Sequence, residues 1–457
     1  ARQAMAIDSA GGLLAVCREN KQTPIQLLAI LNASEQGIQS LWREAPTLLT
    51  ELHLVHHSLP CTFLLEALAK QGDALSDEHK AFFLEQSRRF MLCADSVQVQ
   101  LVPVRFAAVC RAFKDLLVHG MGRPAKEAIR PLQHAIRILQ PSDSGAITPI
   151  HADLLQVCLL SKFYSVGYDL LYPPHGAANK GLKHNPFVIV DPKKTGLKVT
   201  DFLLFCYYGG MVCVGRKALR EGLKFFLNGL TVPANQLSSI VVECYKKYIL
   251  VSLIKDGALP PIPEYISQVV QRTVGGHCAC YLDLAKTFAS HDLQKLEAFL
   301  KKEEVARALE GDTNMGLAHQ CLKSLQKRVV QRLTKTYLTL SLQDVGKAAG
   351  LEAPQAEQLV REMISEGEIT AKISMKERMV LFDESASASS GASGSESGNH
   401  GAKGAGSFND PQHWQQRIDA CIHIAGQVQK VDDSLSYNRR FLQNTAIQDA
   451  SSRFDVS

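Results

Sequence analysis

The residues that could do chemistry are few. His277, Cys278 and Cys280 stand within four positions of one another and are all zinc-ligand types. Cys278 and Cys280 are only two apart, however, and no second cluster of suitable spacing supplies a fourth ligand. Thiols and a histidine at a helix start are the reading this favours. His53 and His57 lie one helical turn apart and could grip a metal, but no carboxylate stands at a matching distance, so they read as surface histidines. There is no Walker phosphate loop, dinucleotide glycine fingerprint or nucleophile elbow. None of the 15 histidines lies two residues from another, and no HExxH occurs, so the motifs of common zinc hydrolases are missing. The serines near the C-terminus sit in Gly-rich chain, where no rigid base could be positioned against them. The expectation is a protein with no catalytic residue, no metal and no cofactor, whose work is binding.

Composition fits that reading. The chain has 457 residues, 46% hydrophobic and 21% charged, with a net charge of +5. These values suit an ordinary globular protein with several cores. The most apolar run, Phe202 to Val214, falls short of the roughly 18 residues a membrane span needs. One early charge, Arg2, and a brief apolar patch, Gly11 to Cys17, do not read as a signal peptide. The 12 cysteines sit singly in apolar contexts, as at Cys110, Cys158, Cys206 and Cys244. They read as reduced thiols of a cytosolic or nuclear protein.

The elements are mostly helices. Residues 1 to 170 read as helix after helix, including the segments Val104 to His119 and Ala125 to Gln140. Ile129, Leu132, Ile136 and Leu139 recur at threes and fours and predict one buried stripe. Thr148-Pro149 marks a helix start. Tyr172 to Val199 is rich in proline and glycine and reads as loop, with a short strand at Phe187 to Val190. Phe202 to Val214 and Lys217 to Leu230 then form a hairpin. Gly210, Phe226 and Pro233 fall near the spacing of a tetratricopeptide-type repeat, in which small residues let helices approach and a phenylalanine fills the gap. Further helices are predicted at Leu237 to Lys255, Ile262 to Thr273, Tyr281 to Ser290, Asp292 to Leu309 and Asn314 to Thr336. The pattern changes next. A strand at Tyr337 to Leu342, helices at Gln343 to Ala349 and Pro354 to Glu366, and two strands around Ile369 to Phe382 describe a winged helix.

The C-terminal region is of another kind. Serine, glycine and alanine fill 19 of the 24 positions from Glu384 to Ser407, a composition that reads as a flexible tether. Beyond it Trp414, Cys421, Val428, Leu435 and Leu442 repeat every seven residues, and Ile418 and Ala425 fill the alternate seam. The predicted organisation is therefore N-terminal helical repeats over 1–200, further repeats over 201–313, a winged helix over 314–383, a linker over 384–409 and a C-terminal helix over 410–445. The fold class is mostly α: a tetratricopeptide-like solenoid, a small α+β winged helix and a terminal helix.

A winged helix raises the question of nucleic acid, and the charges speak against it. At the place of a recognition helix, Glu352, Glu357, Glu362, Glu366 and Glu368 surround one cation, Arg361, and would repel phosphate. Lys323, Lys327, Arg328, Arg332 and Lys335 on the preceding helix are the features a nucleic-acid reading would need.

Repeats running into a winged helix resemble the PCI-domain family, which builds the proteasome lid, the COP9 signalosome and a translation initiation factor. The segments that carry the likeness are His151-Ala-Asp-Leu154, Cys206-Tyr-Tyr-Gly-Gly-Met211, Glu243-Cys-Tyr-Lys-Lys-Tyr-Ile-Leu-Val-Ser-Leu253, Asn314-Met-Gly-Leu317, Gln331-Arg-Leu-Thr-Lys-Thr336, Thr339-Leu-Ser-Leu-Gln-Asp344 and Glu366-Gly-Glu-Ile369. The likeness covers roughly residues 100 to 382. The Glu243 to Leu253 string narrows it to signalosome subunits. The resemblance implies a non-catalytic scaffold in a complex that removes Nedd8 (Rub1) from cullins and so regulates cullin-RING ubiquitin ligases, its zinc isopeptidase being another chain. It implies neighbours among the other subunits, subunits 1 and 8 first, and a nuclear and cytoplasmic location. Scaffolds of the lid or of the initiation factor are the alternatives of the same kind. Family winged helices join edge to edge, and the C-terminal helices gather in a bundle. The candidate partner-binding residues are Leu338, Leu340, Ile369, Ile373, Val380 and Phe382 at the sheet edge, and Trp414, Ile418, Cys421, Ala425, Val428 and Leu435 on the tail.

Overall fold

Local sequence accounts for where most helices begin. The helix Pro149–Leu160 starts where Pro149 occupies the first turn. The Thr148 amide donates to Nδ1 of His151 at 3.0 Å, and the Thr148 hydroxyl lies 2.9 Å from the same nitrogen. Burial lowers the His151 pKa to about 4, so the ring is neutral and can accept. The predicted stripe Ile129, Leu132, Ile136 and Leu139 is buried on the helix Ile129–Leu139. The computed structural model describes residues 9–18, 23–140, 146–172, 191–374 and 378–382. The strand expected at 187–190, the wing turn at 375–377, the linker 384–409 and the C-terminal helix 410–445 lie outside the described residues.

The hairpin Val199–Gly215 and Leu219–Thr231 is built on a close approach. A Cβ on Gly210 would stand 2.5 Å from a ring carbon of Phe226, and one on Gly209 would stand 2.9 Å from Phe225. Only glycine fits at that separation, and both phenylalanines are fully buried.

Two predicted helices differ from the structure. The helix expected at 262–273 begins only at Gln268 and ends at His277. Pro260, Pro261 and Pro263 lack amide donors and press their preceding residues into extended backbone. The helix expected at 292–309 is broken into Leu293–Leu300 and Glu303–Gly311, with Lys302 extended between them. Leu293, Leu296 and Leu300 face the core, and the next buried residues are Val305 and Leu309. The five-residue step from Leu300 to Val305 is out of phase with one helix, and the break lets both stripes turn inward.

Among the described residues, four apolar cores follow one another along the chain. One spans Leu13 to Cys158, the next Ile147 to Phe225, the third Leu203 to Leu325 and the last Val330 to Phe382. Successive cores share helices, so each repeat buries its face on its neighbour. A polar cluster accompanies the seam between the first two. Asp153 and Asp201, both buried, receive Arg111 at 3.3 and 2.8 Å, and Lys114 adds a contact of 2.7 Å to Asp153.

Gly210→Ala is expected to lower unfolding stability by about 1–3 kcal/mol through overpacking against Phe226. Gly276→Ala, on a helix where nothing lies within 4 Å of the added carbon, should leave stability equal or slightly higher. Urea unfolding of the two variants checks both.

Candidate interface at the winged helix

The winged helix hangs from one long element. The helix Met315–Thr336 runs from the repeats into β1 (Thr339–Ser341), the helices Leu342–Ala349 and Ala353–Ser365, β2 (Ala371–Ser374) and β3 (Met379–Phe382). The three strands form an antiparallel sheet of order β1-β3-β2. Leu340 pairs with Val380 on one side, and Ile373 pairs with Val380 on the other.

That order corrects part of the expected edge. Val380 and Phe382 belong to the central strand, and their side chains are buried in the winged-helix core. Ile369 is buried too, and precedes β2 instead of lying on it. Leu340 and Ile373 are on the two outer strands but lean against the same core. Of the six, only Leu338 is openly exposed, at 59%. Leu381 was not singled out from the sequence. It stands opposite Thr339 and Lys372 and is 40% exposed on the outer face of the sheet. Period-two alternation against Val380 and Phe382 was the available signal. The tail residues Trp414, Ile418, Cys421, Ala425, Val428 and Leu435 lie outside the described residues.

The root of the long helix is held by a buried polar network. Lys247, almost wholly buried, donates its ammonium to Oδ1 of Asn314, which is fully buried just before the helix. The Asn314 amide donates to the Tyr281 hydroxyl at 2.7 Å, and that hydroxyl donates to Asp312 at 2.7 Å. Lys246 joins Asp312 at 2.8 Å to Glu243 at 2.7 Å. Burial holds the Lys247 ammonium below the usual lysine range, against the pull of Glu243 and Asp312. Burial works to raise the Asp312 carboxyl, yet Lys246 and the Tyr281 hydroxyl outweigh it and hold it low. Two adjacent lysines inside the apolar helix Ser239–Lys255 were the sequence signal for this network. Its non-local partners could not be read from spacing.

The same two helices are fastened further along. The Ser324 hydroxyl donates to the Ile254 carbonyl at 2.8 Å, and Arg328 donates to the Lys255 carbonyl at 2.7 Å. Arg328 thus caps the end of the Ser239–Lys255 helix. At the other side of the long helix Lys323 pairs with Glu362 at 2.7 Å, and Lys327 pairs with Glu366 and, at 3.1 Å, with Glu368. The basic helix and the acidic recognition-type helix therefore neutralise each other. Lys323, Lys327 and Arg328 are engaged within the chain and do not form a free cationic surface.

Of the zinc-ligand candidates, His53 and His277 are exposed and His57 is half-buried. Cys278 is buried, and burial pushes its thiol up to about 12. The His53 amide donates to Nδ1 of His57 at 3.2 Å. Among the described residues no three metal-ligating side chains are placed to hold an ion, and no helix is long and apolar enough to cross a membrane.

The comparisons with known proteins decide the family. The description "COP9 signalosome complex subunit 3, N-terminal helical repeats" matches residues 21–270, more than half of the chain. The PCI domain matches residues 293–384. The chain belongs to the COP9 signalosome subunit 3 family. It is 34% identical over 365 residues to a COP9 signalosome complex subunit 3 of Arabidopsis thaliana, covering 78% of this chain and 79% of the relative. It is 28% identical over 400 residues to one of Dictyostelium discoideum, covering 87% of each. In subunit 3 terms, the repeat description stops near the Pro-rich loop that ends at Ser267, and the PCI domain takes in the long helix and the sheet. The node at Lys247 and Asn314 spans the two.

The Glu362 and Glu366 carboxyls are held below the ordinary glutamate range by their hydrogen bonds with Lys323 and Lys327 respectively. Their pairing therefore stabilises the fold above the ordinary glutamate pKa and is lost as pH falls through the lowered values. Hydrogen exchange in Ala353–Ser365 is expected to rise on acidification below about pH 4. Lys327→Glu, which sets a third carboxylate against Glu366 and Glu368 but leaves the Lys323–Glu362 pair, should weaken this pH response and lower the melting temperature. Lys335→Glu, on the exposed end of the helix, should do neither.

Proposed function

We propose that this chain is a non-catalytic scaffold subunit of the COP9 signalosome, contributing to Nedd8 removal from cullins and so to the regulation of cullin-RING ligases. The observation that carries the reading is the node of Lys247, Asn314, Tyr281 and Asp312, which locks a repeat array to a winged helix with two outer strands. Membership of the subunit 3 family supplies the assembly. The repeats give a stiff arm. The backbones of β1 and β2, whose outward groups face away from β3, are suited to extend the sheet into neighbouring subunits, subunits 1 and 8 first. The side chains of Leu338 and Leu381 are suited to pack against such a neighbour. The heptad stripe of Trp414, Ile418, Cys421, Ala425, Val428 and Leu435 is suited to a helical bundle with other subunits. In this reading catalysis belongs to another chain of the complex, and the chain works in nucleus and cytoplasm.

A nucleic-acid role is disfavoured by the same contacts. Of the five cations that would meet phosphate, Lys323 and Lys327 are paired with Glu362, Glu366 and Glu368 and Arg328 caps a helix end, which leaves Arg332 and Lys335 on the exposed part of the helix.

Tagged full-length chain, purified from its own cell extract, is expected to bring a zinc isopeptidase, other PCI subunits and Nedd8-removing activity. Trp414→Asp with Val428→Asp should weaken that recovery while the circular dichroism stays near wild type. Recovery of only lid or initiation-factor chains, or of nucleic acid alone, would overturn the assignment.

A further inference from the structure

Between the helices Ser239–Lys255 and Gln268–His277 the chain reads Leu259-Pro-Pro-Ile-Pro-Glu-Tyr265. Proline fixes φ near about −65° and drives the residue before it to extended backbone. Leu259, Pro260 and Ile262 each precede a proline, so the stretch up to Pro263 is biased to polyproline II, and the Ile266 amide, donating to the Pro263 carbonyl at 3.2 Å, turns the chain after it. No backbone–backbone hydrogen bond reaches residues 258–262 among those described, as that conformation requires.

Polyproline II repeats every three residues. Leu259 and Ile262 are three apart, and both pack against the third core. That anchoring turns the other two edges of the helix away from the core. Pro260 and Pro261 are exposed, Pro263 is half-buried, and Glu264 is exposed. Tyr265, 71% exposed, adds an aromatic ring beside them. Pro260 and Pro263 share one edge, which is the PxxP spacing.

Both ends of the segment are clamped. Gly257, at φ +75°, lies against the Arg328 guanidinium, where a Cβ would meet Cζ at 2.3 Å. At the far end the Gln271 side-chain amide donates to the carbonyls of Glu264 at 3.0 Å and Ile266 at 2.8 Å. The Ser267 hydroxyl donates to the Ala234 carbonyl at 3.0 Å. A proline ladder held at both ends has little conformational entropy left to lose on binding.

We infer that residues 259–263, with Glu264 and Tyr265 on the turn that follows, are a docking epitope for a partner domain that reads polyproline II through an aromatic-lined groove, with a cationic rim placed against Glu264. The prolines offer the ridges that such grooves receive, and backbone carbonyls between them are open to donors from the groove. This site is separate from the sheet edges and the tail used in the assembly reading.

The test uses the full chain and three labelled probes, a WW, an SH3 and an EVH1 domain, followed by fluorescence anisotropy. The expected result is saturable binding of at least one probe. Pro260→Ala with Pro263→Ala should weaken it about tenfold or more, equivalent to about 1.4 kcal/mol. Glu264→Lys, a surface change, should also weaken it and flatten its dependence on salt. Absence of binding by all three probes would overturn the inference. So would unchanged affinity in the proline variant with wild-type circular dichroism. If that variant fails to fold, unchanged affinity of Glu264→Lys overturns it instead.

Discussion

The structure turns on one buried ammonium. Lys247 sits inside an apolar helix, out of reach of water, and a charge in that position is costly unless its hydrogen bonds are made. Asn314 supplies the acceptor, and Tyr281 and Asp312 complete the chain of donors and acceptors. Because Asn314 is the residue from which the long helix departs, satisfying Lys247 also fixes where that helix begins. Ser324 and Arg328 then hold it to the carbonyls of Ile254 and Lys255, about three and four turns further on. A rod pinned at its root and along its length has one direction relative to the repeats. The winged helix at its far end inherits that direction.

Electrostatics carries the same division of labour outward. The long helix has a cationic face, and the second helix of the winged domain has an acidic one. Folded, Lys323 and Lys327 meet Glu362, Glu366 and Glu368, so part of the two faces cancels across the domain. Such exposed or half-exposed pairs add only modest stability each, beside the apolar contact of Val330 with the core of the winged helix. They also explain why a basic helix beside a winged helix need not imply a phosphate partner. At the sheet, the backbone of the outer strands and the exposed side chains of Leu338 and Leu381 are the groups our proposal assigns to partners. A subunit of an assembly needs such surfaces, and a DNA reader would need others.

Much of the fold was legible because it is local. The stripe from Ile129 to Leu139, the cap at Thr148 and the glycine–phenylalanine pair of the central hairpin each follow from residues a few turns apart. The order of elements in the winged helix was legible for the same reason. Strand order was not. Alternation places Val380 and Phe382 on the inner face, but whether their strand lies at the edge or in the middle depends on which partners it finds. β3 inserts between β1 and β2, and the edge moves to strands whose side chains are half-buried. The break at Lys301-Lys302 was hidden by good helix formers, and only the five-step phase slip between Leu300 and Val305 betrayed it. The junction was half-visible. Asn314 and the Lys246-Lys247 pair were already among the segments that carried the family likeness, but the bond between Lys247 and Asn314 joins residues 67 apart.

The most direct test of this account is a double-mutant cycle on Lys247→Met and Asn314→Leu, read by equilibrium unfolding of the full chain. If the pair is the fastening described here, each single change destabilises by leaving its partner unpaired. The double change then costs less than the two together, with a coupling energy of about 1–3 kcal/mol. Additive losses, within about 0.5 kcal/mol, would show that the two residues act independently and that the winged helix is held by something else.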